Sequence, residues 1–284
     1  MSILILYNSF SGNGKGKVMA EKMKANLQAS GLAFVAFENH WPSSLDGFDE
    51  VFLFGGDGTL NYFINHYGVP DQVVLTLFPG GTGNDLHWKL FDQTSVETQM
   101  QNWQQYPITS IDVARCNNEY FVNMIGLGFD GEVLRKMKTV RWIGGHLGYL
   151  LVVIRLIFSY RERWMTLQWA GSPLRTRLLL CQVSNSNRTG GGFLVAPHAI
   201  INDGWLNLTF CEPKTIWQRL LFLPKVEKGS HLSENGVCTH TIQKLEINAE
   251  EDIYYQLDGE LRCSKHFTID LAERKLRVRT TMLA

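Results

Sequence analysis

Gly55-Gly56-Asp57-Gly58-Thr59-Leu60-Asn61 sets one carboxylate and one hydroxyl among three glycines in a single short stretch. Without a Cβ, glycines let the backbone approach a ligand closely and aim N–H groups at a phosphate. An aspartate next to a phosphate calls for a divalent cation between them, so these residue types point to magnesium-nucleotide chemistry. A tight turn alone would explain the glycines, but neither the acid nor the threonine. Two more polar glycine loops stand at Asn8 to Lys17 and at Pro79-Gly80-Gly81-Thr82-Gly83-Asn84-Asp85. The Gly12-Asn13-Gly14-Lys15-Gly16-Lys17 run is not a Walker A loop, because Val18 stands where Ser or Thr must follow the lysine.

Each loop follows an apolar run that reads as a buried strand: Ile3 to Tyr7, Glu50 to Phe54 and Val73 to Phe78. A further strand is expected at Leu32 to Phe37. Between them, Met19, Met23 and Leu27 mark one helix face, and Asn61 to His66 begins another helix. This alternation predicts an α/β domain: an open parallel sheet with helices on both faces, binding ligands at the carboxyl ends of its strands. From about Ile108 the pattern changes. Strand-like runs at 108–115 and 120–125 flank the turn Cys116-Asn117-Asn118-Glu119, and a basic helical stretch covers 133–163. Strands follow at 178–183, 205–210, 245–247, 267–271 and 276–280, with one helix near 216–222. The last two strands flank Ala272-Glu273-Arg274-Lys275, a hairpin signal. The expected organisation is a nucleotide-binding domain over 1–114 and a mostly antiparallel, β-sandwich-like substrate domain over 115–284.

The 284 residues are 45% hydrophobic and 19% charged, which suits a globular protein with a sizeable core. Lys+Arg and Asp+Glu both number 27, so no global field draws nucleic acid, and none is expected as a partner. Five scattered cysteines without a Cys-x-x-Cys pair argue against disulfides and zinc, and for a reducing compartment. The N-terminus lacks a basic leader region, and the apolar run from Leu147 to Phe158, interrupted by Arg155, is shorter than the ~20 residues that span a bilayer. A cytoplasmic protein is expected. The eight histidines show no metal-ligand spacing.

The ordered set Gly55-Gly56-Asp57-Gly58-Thr59, Pro79-Gly80-Gly81-Thr82-Gly83-Asn84-Asp85 and Asp258-Gly259-Glu260 resembles the signature of the diacylglycerol kinase catalytic family, in particular the short soluble bacterial lipid kinases. Asn8-x-x-Ser11-Gly12, Asn123-x-x-Gly126-x-Gly128-Phe129-Asp130-Gly131, Gly148-Tyr149-Leu150-Leu151 and Asn202-Asp203-Gly204 extend the likeness over nearly the whole chain. The resemblance implies transfer of the γ-phosphoryl group of ATP, with Mg²⁺, to a lipid hydroxyl in a cleft between two domains. It implies that Asn8, Ser11, Gly12, Gly56, Asp57, Gly58, Thr59 and Thr82 contact the nucleotide. Asp57, Asp85 and Asp112 would hold the magnesium, largely through waters. Glu260 would be the general base, with Asp57 the second catalytic acid and Asp258 an orienting neighbour. A structural metal is implied at Asp203 with the main-chain carbonyls of Ile200 and Trp205, while the residues alone also fit a plain Asn-Asp-Gly turn.

The chain departs from the family pattern in two places. Ser9 stands where proline usually follows the first asparagine, and Phe37-Glu38-Asn39-His40 offers no equivalent of a nucleotide-contacting threonine. Arg135, Lys136, Lys138, Arg141, Arg161 and Arg163 flank Trp142, Ile143, Tyr149 and the aliphatic run to Phe158. This band fits either peripheral docking on anionic lipid or a packed helix with a solvated rim. NAD kinase shares the Gly-Gly-Asp-Gly-Thr loop and the two-domain plan, and a nucleotide-binding regulator without turnover is the rival from another class. Gly81 to Asp85 and the late Asp-Gly-Glu point to the lipid kinase. Which lipid is used stays open, and so does the choice between monomer and homodimer.

Overall fold

The computed structural model describes residues 1–139 and 145–282. The chain divides into two compact units: Met1–Val113 together with the chain from Ala272 onward, and Ala114–Leu271. In chain order the first unit holds β1 (Ile3–Tyr7), α1 (Lys15–Ala29), β2 (Phe34–Glu38), β3 (Glu50–Gly55), α2 (Asp57–Tyr67), β4 (Val74–Pro79), α3 (Asp85–Phe91), α4 (Val96–Asn102) and β5 (Ile108–Ile111). The second holds β6 (Ala114–Cys116), β7 (Glu119–Phe121), β8 (Met124–Gly128), α5 (Phe129–Thr139), α6 (Gly145–Ser159), β9 (Arg163–Gln168), β10 (Leu174–Leu178), β11 (Leu180–Ser184), β12 (Leu206–Cys211), α7 (Ile216–Glu227), β13 (Val237–Ile242), β14 (Lys244–Leu257) and β15 (Glu260–Leu271). Last comes β16 (Leu276–Arg279), in the first unit.

The sheet of the first unit runs β2-β1-β3-β4-β16-β5, parallel from β2 to β16, with β5 antiparallel at the edge. Strands β1, β3 and β4 are buried along nearly their whole length, which requires cover on both faces. Ala20, Met23 and Leu27 of α1 supply part of it, packing with Phe52, Phe54 and Phe78; Met19 sits at the margin of that core. The chain leaves β1 toward β2 on one side and later enters β3 on the other. The sheet's switch point therefore lies between β1 and β3, where open α/β sheets bind ligands.

The second unit is a mostly antiparallel sheet in the order β13-β12-β11-β8-β14-β15-β6-β7, with β9 joining β14 and β10. One core lies between its strands, including Ile125, Leu127, Cys181, Val183, Leu208 and Phe210. Alternate residues Met124, Leu180 and Cys211 face the other way, against side chains of α5, α6 and α7. The expected α/β unit followed by a mostly antiparallel β unit is thus what the chain forms.

Four expectations need correction. The run 108–115 is broken between β5 and β6 at Asp112-Val113, and the helical stretch 133–163 is two helices followed by a strand. Within that stretch Arg141, Trp142 and Ile143 lie outside the described residues. The hairpin at 272–275 does not form, and the assignment of everything after 115 to the second domain fails at its end. Ala272 N–H donates to Val113 O, and β16 pairs with β4 and β5 instead of β15. A buried ion pair holds it there: Arg279 Nε and Nη2 donate to Glu50 Oε1 and Oε2 at 2.7 and 2.9 Å. Thr76 Oγ1 adds a 2.7 Å bond to Glu50 Oε1, and Arg279 Nη1 reaches Tyr106 O at 3.0 Å.

Breaking this pair from one side leaves Glu50 charged in the sheet without its guanidinium. Arg279→Ala is expected to destabilise the first unit by ~3–5 kcal/mol. Urea unfolding of wild type and variant measures it, and a loss below ~1 kcal/mol would show that the pair does not anchor β16.

Candidate functional site

In the first unit, all three glycine loops leave the carboxyl ends of strands: Asn8 onward follows β1, Gly56 follows β3 and Gly80 follows β4. They touch backbone to backbone. Gly80 N–H donates to Gly55 O at 2.7 Å, and Ser11 Oγ donates to Gly80 O at 2.9 Å. A Cβ on Gly12, whose φ is 55°, would overlap Gly80 O, and one on Gly56 would stand 2.7 Å from the Cα of Gly81. Glycine here serves the packing of loop on loop. Asn84, at φ 52° and ψ 40°, fixes the third loop by accepting from Gly81 N–H at 2.8 Å and donating to Gly81 O at 2.9 Å.

Asp57 opens α2 just past Gly56, so its carboxylate stands at the positive end of an 11-residue helix. Its Oδ1 accepts the N–H of Leu86 at a long 3.4 Å, which brings it to the start of α3 beside buried Asp85. Gly58 and Thr82 are exposed, while Thr59 is buried with its side chain against Gly55. A small recess beside Asp57 is lined by Gly55, Gly56, Leu60, Asn84, Leu86 and His87. The oxygen donors are the kind Mg²⁺ takes. Among the described residues no three acids, histidines or cysteines are grouped to hold an ion directly.

Asp112 is not brought to this site. Ile111 pairs with Leu276, and Val278 stands level with Leu75, so Asp112 follows toward the amino end of β4, opposite Gly80. There it accepts from Lys275 Nζ at 2.7 Å, near the Arg274–Asp71 pair. The antiparallel direction of β5 is the reason; a parallel strand would have delivered Asp112 to the glycine loops.

In the second unit, Asp258 and Gly259 are the two loop residues of the β14–β15 hairpin, with φ of 47° and 83°, as a type I′ turn demands. The Asp258 carboxylate accepts three main-chain N–H groups: Val122 at 2.7 Å, Asn123 at 2.9 Å and Met124 at 3.0 Å. It is a clamp that fixes the hairpin tip, and so positions Glu260 one residue past the turn. Glu260 is about half exposed, with Arg262 Nη1 at 3.9 Å from its Oε2. Arg262 is engaged mainly by Glu119, at 2.9 and 3.0 Å. At Asp203 the carboxylate accepts Trp205 N–H at 3.0 Å, an Asx turn completed by Gly204 at φ 78°.

Several contributors were not singled out from sequence. Asn39, at φ 60°, clasps the first loop by accepting Ser9 N–H at 2.9 Å and donating to Ser9 Oγ at 2.8 Å. Proline in place of Ser9 would have neither group. His87 lines the recess and meets Gln99 Oε1 at 2.9 Å; burial lowers its pKa, and the Gln99 bond opposes this. Asp130 stands against Gly126, where a Cβ would overlap its Oδ2, and burial raises its carboxyl above the usual range.

Residues 2–116 match the profile of the diacylglycerol kinase catalytic domain, and residues 123–280 that of the YegS C-terminal NAD kinase beta sandwich-like domain. The chain is 30% identical over 249 residues to the "Probable lipid kinase YegS-like" protein of Pectobacterium atrosepticum, covering 81% of this chain and 78% of that one. It is 26% identical over 227 residues to the diacylglycerol kinase of Bacillus subtilis, covering 77% and 73%. The fold resembles the crystal structure of a diacylglycerol kinase from Bacillus anthracis, with a TM-score of 0.73 and 18% identity over 99% and 97% of the two chains.

Gly12→Ala forces a methyl into Gly80 O from a backbone that side chains rarely adopt. ATP affinity, read by calorimetry, is expected to fall at least ~10-fold, with a stability loss of ~1–3 kcal/mol; wild-type affinity would separate the loops' packing from binding. For His87, the folded pKa is below the unfolded one, so the unfolded chain takes up the proton first. Its stabilising contribution is complete above about pH 6.5 and is lost as pH falls below that. Melting curves across that range should show a shallower acid decline for His87→Gln, the residual slope belonging in part to His231, which burial lowers likewise.

Proposed function

We propose a function from one premise: this chain belongs to the bacterial lipid-kinase family of diacylglycerol-kinase and YegS-like type, and is a kinase-type phosphotransferase. Its acceptor is a hydroxyl of diacylglycerol or a related amphipathic lipid, and its donor is MgATP. The observation that supports this most is the meeting of three glycine loops at the switch point, with Asp57 at a helix N-terminus among them. Gly12, Gly56, Gly58 and Thr82 would cradle the triphosphate, while Asn8, Ser11 and Thr59 shape the loops that do so: Ser11 N–H and Oγ donate to Asn8 O and Gly80 O, and Thr59 N–H donates to Gly56 O. Asp57 and Asp85 are the acids that would hold the magnesium of MgATP. When bound, the ion supplies neutralisation of phosphate charge.

Glu260 takes the proton of the acceptor hydroxyl. Its exposure leaves it able to meet a substrate, whereas Asp258 is buried and committed to three amides. Phosphoryl transfer depends chiefly on positioning and charge, and a base adds ~10²–10⁴-fold. The enzyme works from the cytoplasm at a membrane surface; no described helix is long and apolar enough to cross one. NAD remains the acceptor to test beside lipids, since residues 123–280 match an NAD kinase beta sandwich-like domain.

Purified protein with labelled ATP and Mg²⁺, offered a panel of diacylglycerol, sphingoid and phosphatidylglycerol lipids and NAD, decides among acceptors. Label is expected in the lipid phase, reduced ~10²–10⁴-fold by Glu260→Ala at an unchanged melting temperature. Label on NAD alone would make this an NAD kinase, and bound ATP without turnover a regulator.

A further inference from the structure

Helices α6 and α7 lie in one layer on the same face of the second unit's sheet. Val152, Val153, Leu156 and Ile157 of α6 share a core with Phe222 and Val226 of α7. Arg219 stitches the two together, its Nη1 donating to Ile157 O at 2.9 Å and Tyr160 O at 3.1 Å, and its Nη2 to Glu162 Oε1 at 2.6 Å. With the inward faces filled, the outward faces of such helices ought to be polar. They are not. Leu151, Ile154 and Phe158 are 49%, 40% and 60% exposed at i, i+3, i+7 spacing, and Trp217 and Leu221 are 77% and 70% exposed at i, i+4 spacing. Single exposed apolar residues are ordinary, but two stripes on neighbouring helices of one layer form a surface that marks interaction.

Charge selects the partner. Arg155 sits within the α6 stripe and Arg161 just past its end, both exposed, while the neighbouring acid Glu162 is taken up by Arg219. Lys228 is exposed at the end of α7, in line with Trp217 and Leu221. On a chain of zero net charge this is a local cationic apolar face. A two-fold contact with a second copy of the chain would gather these cations in one interface, where Glu227 beside Lys228 is the one acid that α6 and α7 supply to offset them. An anionic bilayer offers phosphates to the cations, an acyl boundary to the aliphatics and the interfacial zone that tryptophan favours.

We propose that the outward face of α6 and α7 docks on an anionic lipid bilayer, with Trp217, Leu221, Phe158, Ile154 and Leu151 entering the headgroup–acyl boundary and Arg155, Arg161 and Lys228 meeting lipid phosphates. The choice of a bilayer rests on the lipid-kinase reading, whose acceptor resides in one. The test is co-sedimentation of the full chain with vesicles of phosphatidylcholine alone and of phosphatidylcholine with phosphatidylglycerol. Wild type is expected to sediment with the anionic vesicles and to release as salt rises. Trp217→Gln with Leu221→Gln, and separately Leu151→Gln with Phe158→Gln, should each weaken binding ~10–100-fold while keeping the wild-type melting temperature. Arg155→Glu, a single exposed change, provides the same reading should a double variant misfold, and should weaken binding to anionic vesicles only.

Wild type that ignores both vesicles, or variants that bind as wild type does, would overturn the docking. So would a wild-type dimer in sedimentation velocity that the Trp217 variant dissolves without any vesicle binding. A short-chain diacylglycerol dispersed in water separates this proposal from the one before it. Turnover of that acceptor without vesicle binding removes the docking face alone, whereas vesicle binding without phosphorylation of any lipid removes the kinase reading alone.

Discussion

Where the loops after β1, β3 and β4 meet, main chain lies against main chain with no room for a side chain. That contact is the constraint the first unit is built around. Gly12 against Gly80, and Gly56 against Gly81, let each loop brace the next. The consequence reaches Asp57. With Gly56 held on one side and Leu86 N–H on the other, the carboxylate has a defined place at the head of α2. Preorganisation of this kind favours tight handling of a charged ligand, because little ordering remains to be done on binding.

The acids of the chain divide by what donates to them. Glu50 is buried and answered by a guanidinium and a hydroxyl, and Asp258 is buried and answered by three amides. Removing such partners strands a desolvated charge, at several kcal/mol, which makes these residues architectural. Asp57 has one long hydrogen bond, and Glu260 one guanidinium nitrogen at 3.9 Å with a nearer acid competing for it. Asp57 and Glu260 are thus held far less tightly than Glu50 and Asp258. Asp258 and Glu260 are two residues apart and stand on opposite sides of this division.

A substitution that looks like a weakness in the sequence is repaired across space. Serine after the first asparagine forgoes proline's stiffness, yet its N–H and hydroxyl are what Asn39 grips from the end of β2. Asn39 tolerates a left-handed backbone better than most residues, which lets its amide turn back onto the loop.

The sequence alone determined the things that are local or periodic. Buried strands announced themselves as apolar runs, their loops as glycine with acids and hydroxyls, and the change to a β-rich second unit as a loss of strand–helix alternation. Only the tertiary structure decided which distant segments share an end of a sheet. Asp112 looked like a third acid because it follows a strand, but strand direction is set by pairing, and β5 runs antiparallel. The final strand looked like half of a hairpin because its neighbour also alternates; it pairs in the first sheet instead, where Arg279 meets Glu50, 229 positions earlier in the chain. The exposed stripes of α6 and α7 were equally hidden, since an apolar spacing in a sequence shows that a helix has a greasy face and not whether the protein itself covers it.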